Sequence, residues 1–558
     1  MAWRQAKETG VTGMGLALGT ERDGMVQGKD ASGARAPIAN AVDAVIRYWP
    51  FWALLVFAIL WRSPVYGNPD VFLDEQFYLL VGDRMLHGAL PYVDIWDRKP
   101  IGLFLIYAFS RLLGGEGFMQ YQLLASVFAG VTAGMIWLVA RRACGNFGAT
   151  ASGLLYLLWL NVYSGGAGQS PVFYNLLTMG AVWLCLCAND AGRAGDAGKI
   201  ARLGGWAMLL CGCILQIKYT AVMEGMFFGA WFLWRLWRAG MAPMRIMAIA
   251  IGYGVIALLP TLIATGWYAA TGHLHAFIYA NFLSIFDRGR LSDSFLRMAG
   301  GFFLATTPPL AIVGSFGLMR HWQITGRQIA GKDRRDDFAF LVGWLASAIL
   351  GFVMIGNFYD HYFLPVLLPA FIVIAPMLVA TPIGVTAAAV LAFWALFWSG
   401  TPDAAYQRAK RAGLMRLTEA TRPYVRDGQC LFIFDGPAIL YMTSNACIPT
   451  RYAYPDHLSN DVEKRAIGVD AVAEMRRVLA SRPGAIVTAN SPVIPRLNAQ
   501  TVPLLKAALG RDYLCVAAVR ATKQGRAFYV HARRDLVSAQ AMRHRPASCP
   551  DDYADMMR

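Results

Sequence analysis

The chain has 558 residues, 56% of them hydrophobic and only 15% charged, with 17 Trp and 31 Phe, a composition too apolar for a soluble protein of this length. Its 51 Lys and Arg against 35 Asp and Glu give a formal charge of +16. Those basic residues gather in short loops between apolar runs, which argues against a nucleic-acid-binding surface.

In chain order, residues 1–45 are polar and rich in Gly and Ala, with no apolar core of a signal peptide, and predict a disordered cytoplasmic arm. Apolar runs of roughly 17–22 residues then recur, each long enough to cross a hydrocarbon layer about 30 Å thick. Inside lipid they must be helical, because the backbone polar groups have to be satisfied within the segment. Spans are predicted at about 48–62, 121–140, 147–163, 172–188, 204–217, 220–237, 246–268, 300–319, 338–356, 362–380 and 383–399. With the N-terminus inside, Arg141-Arg142, then Arg193, Lys199 and Arg202, then Arg235, Arg238 and Arg245, then Arg320, Arg327, Lys332, Arg334 and Arg335 all fall in cytoplasmic loops. The run Ile101–Leu113 is too short to span and predicts an interfacial or re-entrant helix. The fold class is therefore a polytopic α-helical membrane protein with about 11 transmembrane helices, residues 46–400, followed by a C-terminal domain over 401–558.

An odd number of spans puts that domain outside, in the periplasm of a bacterial inner-membrane protein. Cys430–Asp435, Ala485–Thr488 and Tyr513–Val519 read as strands, with helical patterns at Asp470–Leu479 and Pro503–Leu509, giving an α/β domain. Of the nine Cys, Cys144, Cys185, Cys187, Cys211 and Cys213 lie in or beside spans, without the partners of a zinc site. Cys430, Cys447, Cys515 and Cys549 lie in the outer domain, where an oxidising compartment favours disulfides; nearest-neighbour pairing gives Cys430–Cys447 and Cys515–Cys549.

The first outer loop, 63–120, carries the chemistry-bearing residues. Asp74 and Glu75 open a short amphipathic helix with Phe77, Leu80, Val81 and Met85 on its apolar face and Gly88 as its stop. Asp74 reads either as an N-cap or as a general base. Asp94 and Asp97 stand within a few residues of Arg98 and Lys99, an arrangement that suits an anionic lipid headgroup or, alternatively, an ordinary solvated ion-pair cluster.

Asp74-Glu75-x-x-Tyr78, then Gly88-x-Leu90-Pro91-Tyr92-x-Asp94, then Trp96-Asp97-x-Lys99-Pro100 resembles the first-loop signature of the GT-C membrane glycosyltransferases. The branch it resembles is the bacterial one related to protein O-mannosyltransferases and to the lipid A aminoarabinose transferase. Asn357-Phe-Tyr-Asp-His361-Tyr362 and the pair Arg451-Tyr452 are similar to later motifs of that branch, so the likeness covers roughly residues 45–460. It implies an inverting transfer of a sugar from a polyprenyl-phosphate carrier to an envelope glycan, lipid or protein at the periplasmic face. By this resemblance Asp74 would be the base, Glu75 its support and Lys99 the holder of the donor phosphate, which Arg98, Lys218, His361 and Tyr362 are also expected to contact. Tyr78, Tyr92, Asp94, Asp97, Arg451 and Tyr452 would be weaker substrate contacts. Lys218 also reads as a lysine snorkelling to the interface, and His361 as a capping histidine.

Two departures matter. The second outer loop, Gly165–Pro171, has no carboxylate, and Arg98 stands where the aminoarabinose transferase has a metal-binding acid. No tightly bound metal is expected, a divalent ion at Asp97 or His361 being the minor alternative. The other function class, a transporter or flippase of lipid-linked sugars, calls for internal repeats and ionisable residues deep in spans. Here Glu224 is almost alone in that position.

Overall fold

The computed structural model describes residues 47–326, 334–494, 496–520 and 525–539, with 546, 547 and 549. The expected N-terminal arm, Arg327 and Lys332 lie outside the described residues. Contacts divide the chain into residues 1–49 and 50–558, and only residues 47–49 of the first unit are described.

The helices are α1 (Trp49–Arg62), α2 (Leu73–Leu86), α3 (Ile101–Leu112), α4 (Phe118–Ala140), α5 (Asn146–Val162), α6 (Ser170–Arg193), α7 (Ala197–Leu215), α8 (Val222–Arg238) and α9 (Pro243–Ala270). They continue as α10 (Asp293–Thr306), α11 (Pro308–Gly326), α12 (Arg335–Ile355), α13 (Leu367–Ile374), α14 (Pro382–Ser399) and α15 (Ala404–Thr421). Among the described residues, six helices are long and apolar enough to cross a membrane, or seven if α10 and α11, bent by 51° at their junction, make one span. Helices stand at the other expected spans, but α1 has 14 residues, α5 and α8 have 17 each, and α13 has 8. The expected continuous span at 362–380 is broken: Pro365 and Pro376 bracket α13, and all eight of its residues are buried.

The first loop is also more deeply embedded than its amphipathic pattern suggests. Every residue from Glu75 to Asp83 in α2 is buried. One side packs on α3, where Gly82 leaves no room for a side chain: a Cβ there would meet the Ala108 amide at 2.6 Å. Phe77 on α2 meets Tyr454 of the C-terminal part edge-on, with ring centroids 5.0 Å apart. Helix α2 stops as expected, since Gly88 takes φ +90° and its amide donates to the Met85 carbonyl. Helix α3 is a 12-residue helix, too short to span.

Beyond α15 come β1 (Leu431–Ile433), α16 (Ala471–Ala480), β2 (Ala485–Ala489), α17 (Thr501–Asp512), β3 (Tyr513–Arg520) and β4 (Ala527–Arg533). The sheet has the order β1-β2-β4-β3, with β1 and β2 parallel and the other pairs antiparallel. Asp470 caps α16 through the amides of Val472 and Ala473. The sheet's three expected strands and both helices stand where the patterns put them, and β4 is the strand they missed.

Both expected disulfides, Cys430–Cys447 and Cys515–Cys549, are present, and the five cysteines in or beside the spans are free thiols. Alkylation of the denatured, unreduced chain should therefore modify five thiols by intact mass, and all nine after reduction. Nine modified thiols without reductant would contradict the pairing.

Candidate active site

A cavity of about 360 Å³ opens where the first loop, the 357–362 segment and the C-terminal domain converge. Its walls include Asp74, Asp97, Arg98 and Lys99 from the loop, Ser164 and Gln169 from the link before α6, and Tyr359, Asp360, His361 and Tyr362. The C-terminal domain adds Tyr454, Asp456, His457, Asn460 and Glu463.

Asp74 is the second residue of α2, not its cap. The N-cap position is Phe72, which has extended backbone and no side-chain cap, so the capping reading fails. In the first turn the helix dipole favours the negative charge of Asp74, and the Tyr454 hydroxyl donates to its Oδ1 at 2.8 Å. Burial penalises that charge, but Lys99, His361, Tyr454 and Lys218 outweigh the penalty and hold the carboxyl at about 2. Lys99 is driven the other way: against burial, Tyr78, Asp74 and Asp97 hold its ammonium well above the ordinary lysine range. Its Nζ lies 5.7 Å from the centre of the Tyr78 ring.

Lys218 sits in the link between α7 and α8, behind the cavity wall, with its Nζ 4.2 Å from the centre of the Tyr362 ring. It is 5% exposed, and its ammonium has no hydrogen-bond partner among the described residues. Burial, reinforced by the charge of Lys99, pulls it well below the ordinary lysine value. An anion near Lys99 and Lys218 would relieve both effects. His361 is held below its usual value by burial and faces Asp360, its Nδ1 3.4 Å from Oδ1; Asp360 in turn accepts a hydrogen bond from Ser164.

Several predicted residues stand elsewhere. Glu75 follows Asp74 on the helix and so points about 100° away, into the protein beside Tyr121 and the Gly168 backbone rather than into the cavity. It is fully buried, and burial pushes its carboxyl up to about 8 against the opposing pull of the Gly168 backbone, Arg62 and Tyr121. Tyr78 lies under Lys99, outside the cavity lining. Tyr92 donates from its hydroxyl to the Lys99 carbonyl at 2.8 Å, from a strained backbone with φ +70°, and thereby sets the lysine's backbone without reaching the cavity. Asp94 caps its own turn through the Leu90 amide at 2.7 Å. Arg451 and Tyr452 line a separate depression together with Asp94, and the Tyr452 hydroxyl donates to the Ile467 carbonyl at 2.9 Å. Asp97 does line the cavity, and burial raises its carboxyl. Among the described residues, no group of three His, Cys, Asp or Glu side chains is placed to hold a metal ion.

Arg98 reaches the cavity wall, but its guanidinium is engaged. It makes a two-pronged ion pair with Glu463, which also accepts from Arg288 Nε at 2.8 Å. These two arginines hold the Glu463 carboxyl at about 2 despite burial. Glu463 thus ties the first loop and the 279–292 segment to the C-terminal domain, a role no local motif announced. Glu463→Gln should leave two partly buried guanidiniums underpaired, cost about 3 kcal/mol or more, and lower the thermal unfolding midpoint. Because the folded-state value is depressed, this stabilisation is present above about pH 4.5 and is lost as pH falls toward about 2. A midpoint unmoved by the substitution would contradict the tie.

No family model matches the sequence. One relative is the undecaprenyl phosphate-α-4-amino-4-deoxy-L-arabinose arabinosyl transferase 1 of Pseudomonas fluorescens (strain Pf0-1), 24% identical over 341 residues that cover 57% of this chain and 56% of the relative. The match thus spans little more than half the relative's length. In fold, the chain is similar to ArnT from Cupriavidus metallidurans bound to undecaprenyl phosphate, with TM-score 0.55 and 13% identity over 89% of this chain and 99% of that one. It is equally similar to ArnT in the apo state, with TM-score 0.55 and 15% identity over the same shares. Over most of its length the chain therefore has a fold like that of the two ArnT structures.

Proposed function

We propose that this chain is an inverting glycosyltransferase that moves a sugar from a polyprenyl-phosphate carrier to an acceptor hydroxyl of the cell envelope. The observation that carries the reading is the placement of Asp74 and Lys99 on one cavity, in a chain with the ArnT-like fold. The Asp74 carboxylate takes the acceptor's hydroxyl proton as that oxygen attacks the anomeric carbon. The bond from that carbon to the phosphate oxygen breaks, and the charge left on the polyprenyl phosphate is met by Lys99, with Lys218, Tyr362 and His361 behind it. In this reading Glu75 stiffens the floor under Asp74, and Arg98 closes the wall through Glu463. No tightly bound metal is part of this reading, a divalent ion at Asp97 or His361 being its minor alternative.

The same reading places the site on the periplasmic side of a bacterial inner membrane, with eleven spans over 46–400 and the 401–558 domain outside. Two disulfides confined to the C-terminal cysteines support that sidedness. Nothing among the described residues favours the transporter alternative. The test is purified protein in vesicles with an undecaprenyl-phosphate sugar and an envelope extract. Sugar transfer with stoichiometric release of undecaprenyl phosphate is expected; carrier movement across the bilayer without transfer would overturn the reading.

A further inference from the structure

Three of the acids lining the cavity have a cation beside them, and a fourth has an imidazole. Asp74 and Asp97 face Lys99, Asp360 faces His361, and Glu463 holds Arg98 and Arg288. Asp456 is different: it lines the cavity, makes no salt bridge among the described residues, and has Glu463, Asp435 and Asp74 as charged neighbours. Asn460 is the neighbour that favours its charge. Burial and those like charges push it up to about 7.

A second observation comes from the next residue. His457 also lines the cavity, is 4% exposed, and has an Nδ1 without a hydrogen-bond partner among the described residues. Trp96 stands edge-on to it with ring centroids 4.7 Å apart, and Tyr454 lies 5.4 Å away by the same measure. Burial holds the imidazole down to about 3, so it is neutral and one ring nitrogen is free to accept. The Asp456 carboxyl and the neutral His457 imidazole are two acceptors on one wall, supported by Asn460, whose Oδ1 already accepts from the Val462 amide. An ammonium, with three donors and one positive charge, fits this pair.

We propose that Asp456, with His457 and Asn460, forms a subsite on the C-terminal domain for a positively charged amino group carried by one of the two substrates, the donor sugar or the acceptor. The proposal rests on the transfer reading and adds to it a specificity determinant far along the chain from the first loop. The domain then does more than cover the site: it selects what enters.

The test uses the full chain in nanodiscs and two probe pairs that differ by one amino group. On the donor side these are undecaprenyl-phosphoryl 4-amino-4-deoxyarabinose and undecaprenyl-phosphoryl arabinose; on the acceptor side, octyl glucosaminide and octyl glucoside. Wild type should bind the amino member of one pair at least about tenfold more tightly, and the pair that shows the preference identifies the substrate. Asp456→Asn should reduce the preference to less than about twofold, and Asp456→Glu should restore part of it, with unfolding midpoints verifying that both variants fold. No preference in either pair, a preference intact in Asp456→Asn, or an equal loss for both members would each overturn the subsite. Wild type that fails to bind undecaprenyl phosphate alone would overturn the transfer reading and the proposal with it, an outcome separable from loss of amine preference.

Discussion

Asp74→Asn should lower kcat for sugar transfer by about 10²–10⁴-fold, the range for loss of a positioned general base, equivalent to about 3–5 kcal/mol of barrier. The amide keeps the shape of the carboxylate and can still take the Tyr454 hydrogen bond, so the fold and the donor affinity should hold. The expected signature is a fall in kcat with little change in the Kd for undecaprenyl phosphate. The pH profile adds a sharper check. In the free protein Asp74 sits at about 2 because Lys99, His361, Tyr454 and Lys218 stabilise its charge. It is therefore ionised at every pH above about 3, and an acid limb in kcat/KM cannot belong to it. A bound donor phosphate shares the lysines' charge, so the carboxylate becomes a stronger base when the substrate is in place. The acid limb of kcat should then lie at higher pH than that of kcat/KM and vanish in Asp74→Asn. Transfer undiminished in the variant would remove the base.

Lys99→Ala should act on binding first. Removing a buried, charge-assisted contact to the donor phosphate costs about 2–5 kcal/mol, or at least about thirtyfold in Kd for undecaprenyl phosphate. Lys99→Arg should recover only part, because a planar guanidinium presents its charge and donors differently from the compact ammonium near the Tyr78 ring. Lys218→Met should cost less, since its charge is already suppressed by burial and acts from behind Tyr362. Titration of polyprenyl phosphate into each variant separates the three. An unchanged Kd in Lys99→Ala would mean that the anion sits elsewhere.

The half of the site carried by short spacings was legible in the sequence. Asp74, Lys99 and His361 all reach one cavity, as the first-loop and 357–362 patterns imply. Direction was less legible than position. Nothing in the letters Asp-Glu says which carboxyl turns into the protein, and burial of the whole 75–83 stretch is set by partners that the pattern does not contain. The C-terminal contribution was misplaced by a few residues. Arg451 and Tyr452 drew attention, yet Tyr454, Asp456 and His457 face the cavity, and Tyr454 meets Asp74 across 380 residues of chain. Such long-range contact leaves no periodic trace. The same limit hid Glu463, whose worth lies in two arginines from distant loops. In the fold, helix positions followed hydropathy closely, and the failure at 362–380 came from prolines whose effect is to break a helix the apolar run would otherwise continue.

The position of the bound lipid phosphate decides whether Asp74 and Lys99 act together. A structure of the full chain in nanodiscs with undecaprenyl phosphate should place the phosphate within hydrogen-bond reach of Lys99 Nζ, about 3 Å, in the cavity that Asp74 lines. Phosphate density at the opposite, basic-loop end of the bundle, beside Arg141 and Arg142, with the Asp74 cavity empty, would contradict it.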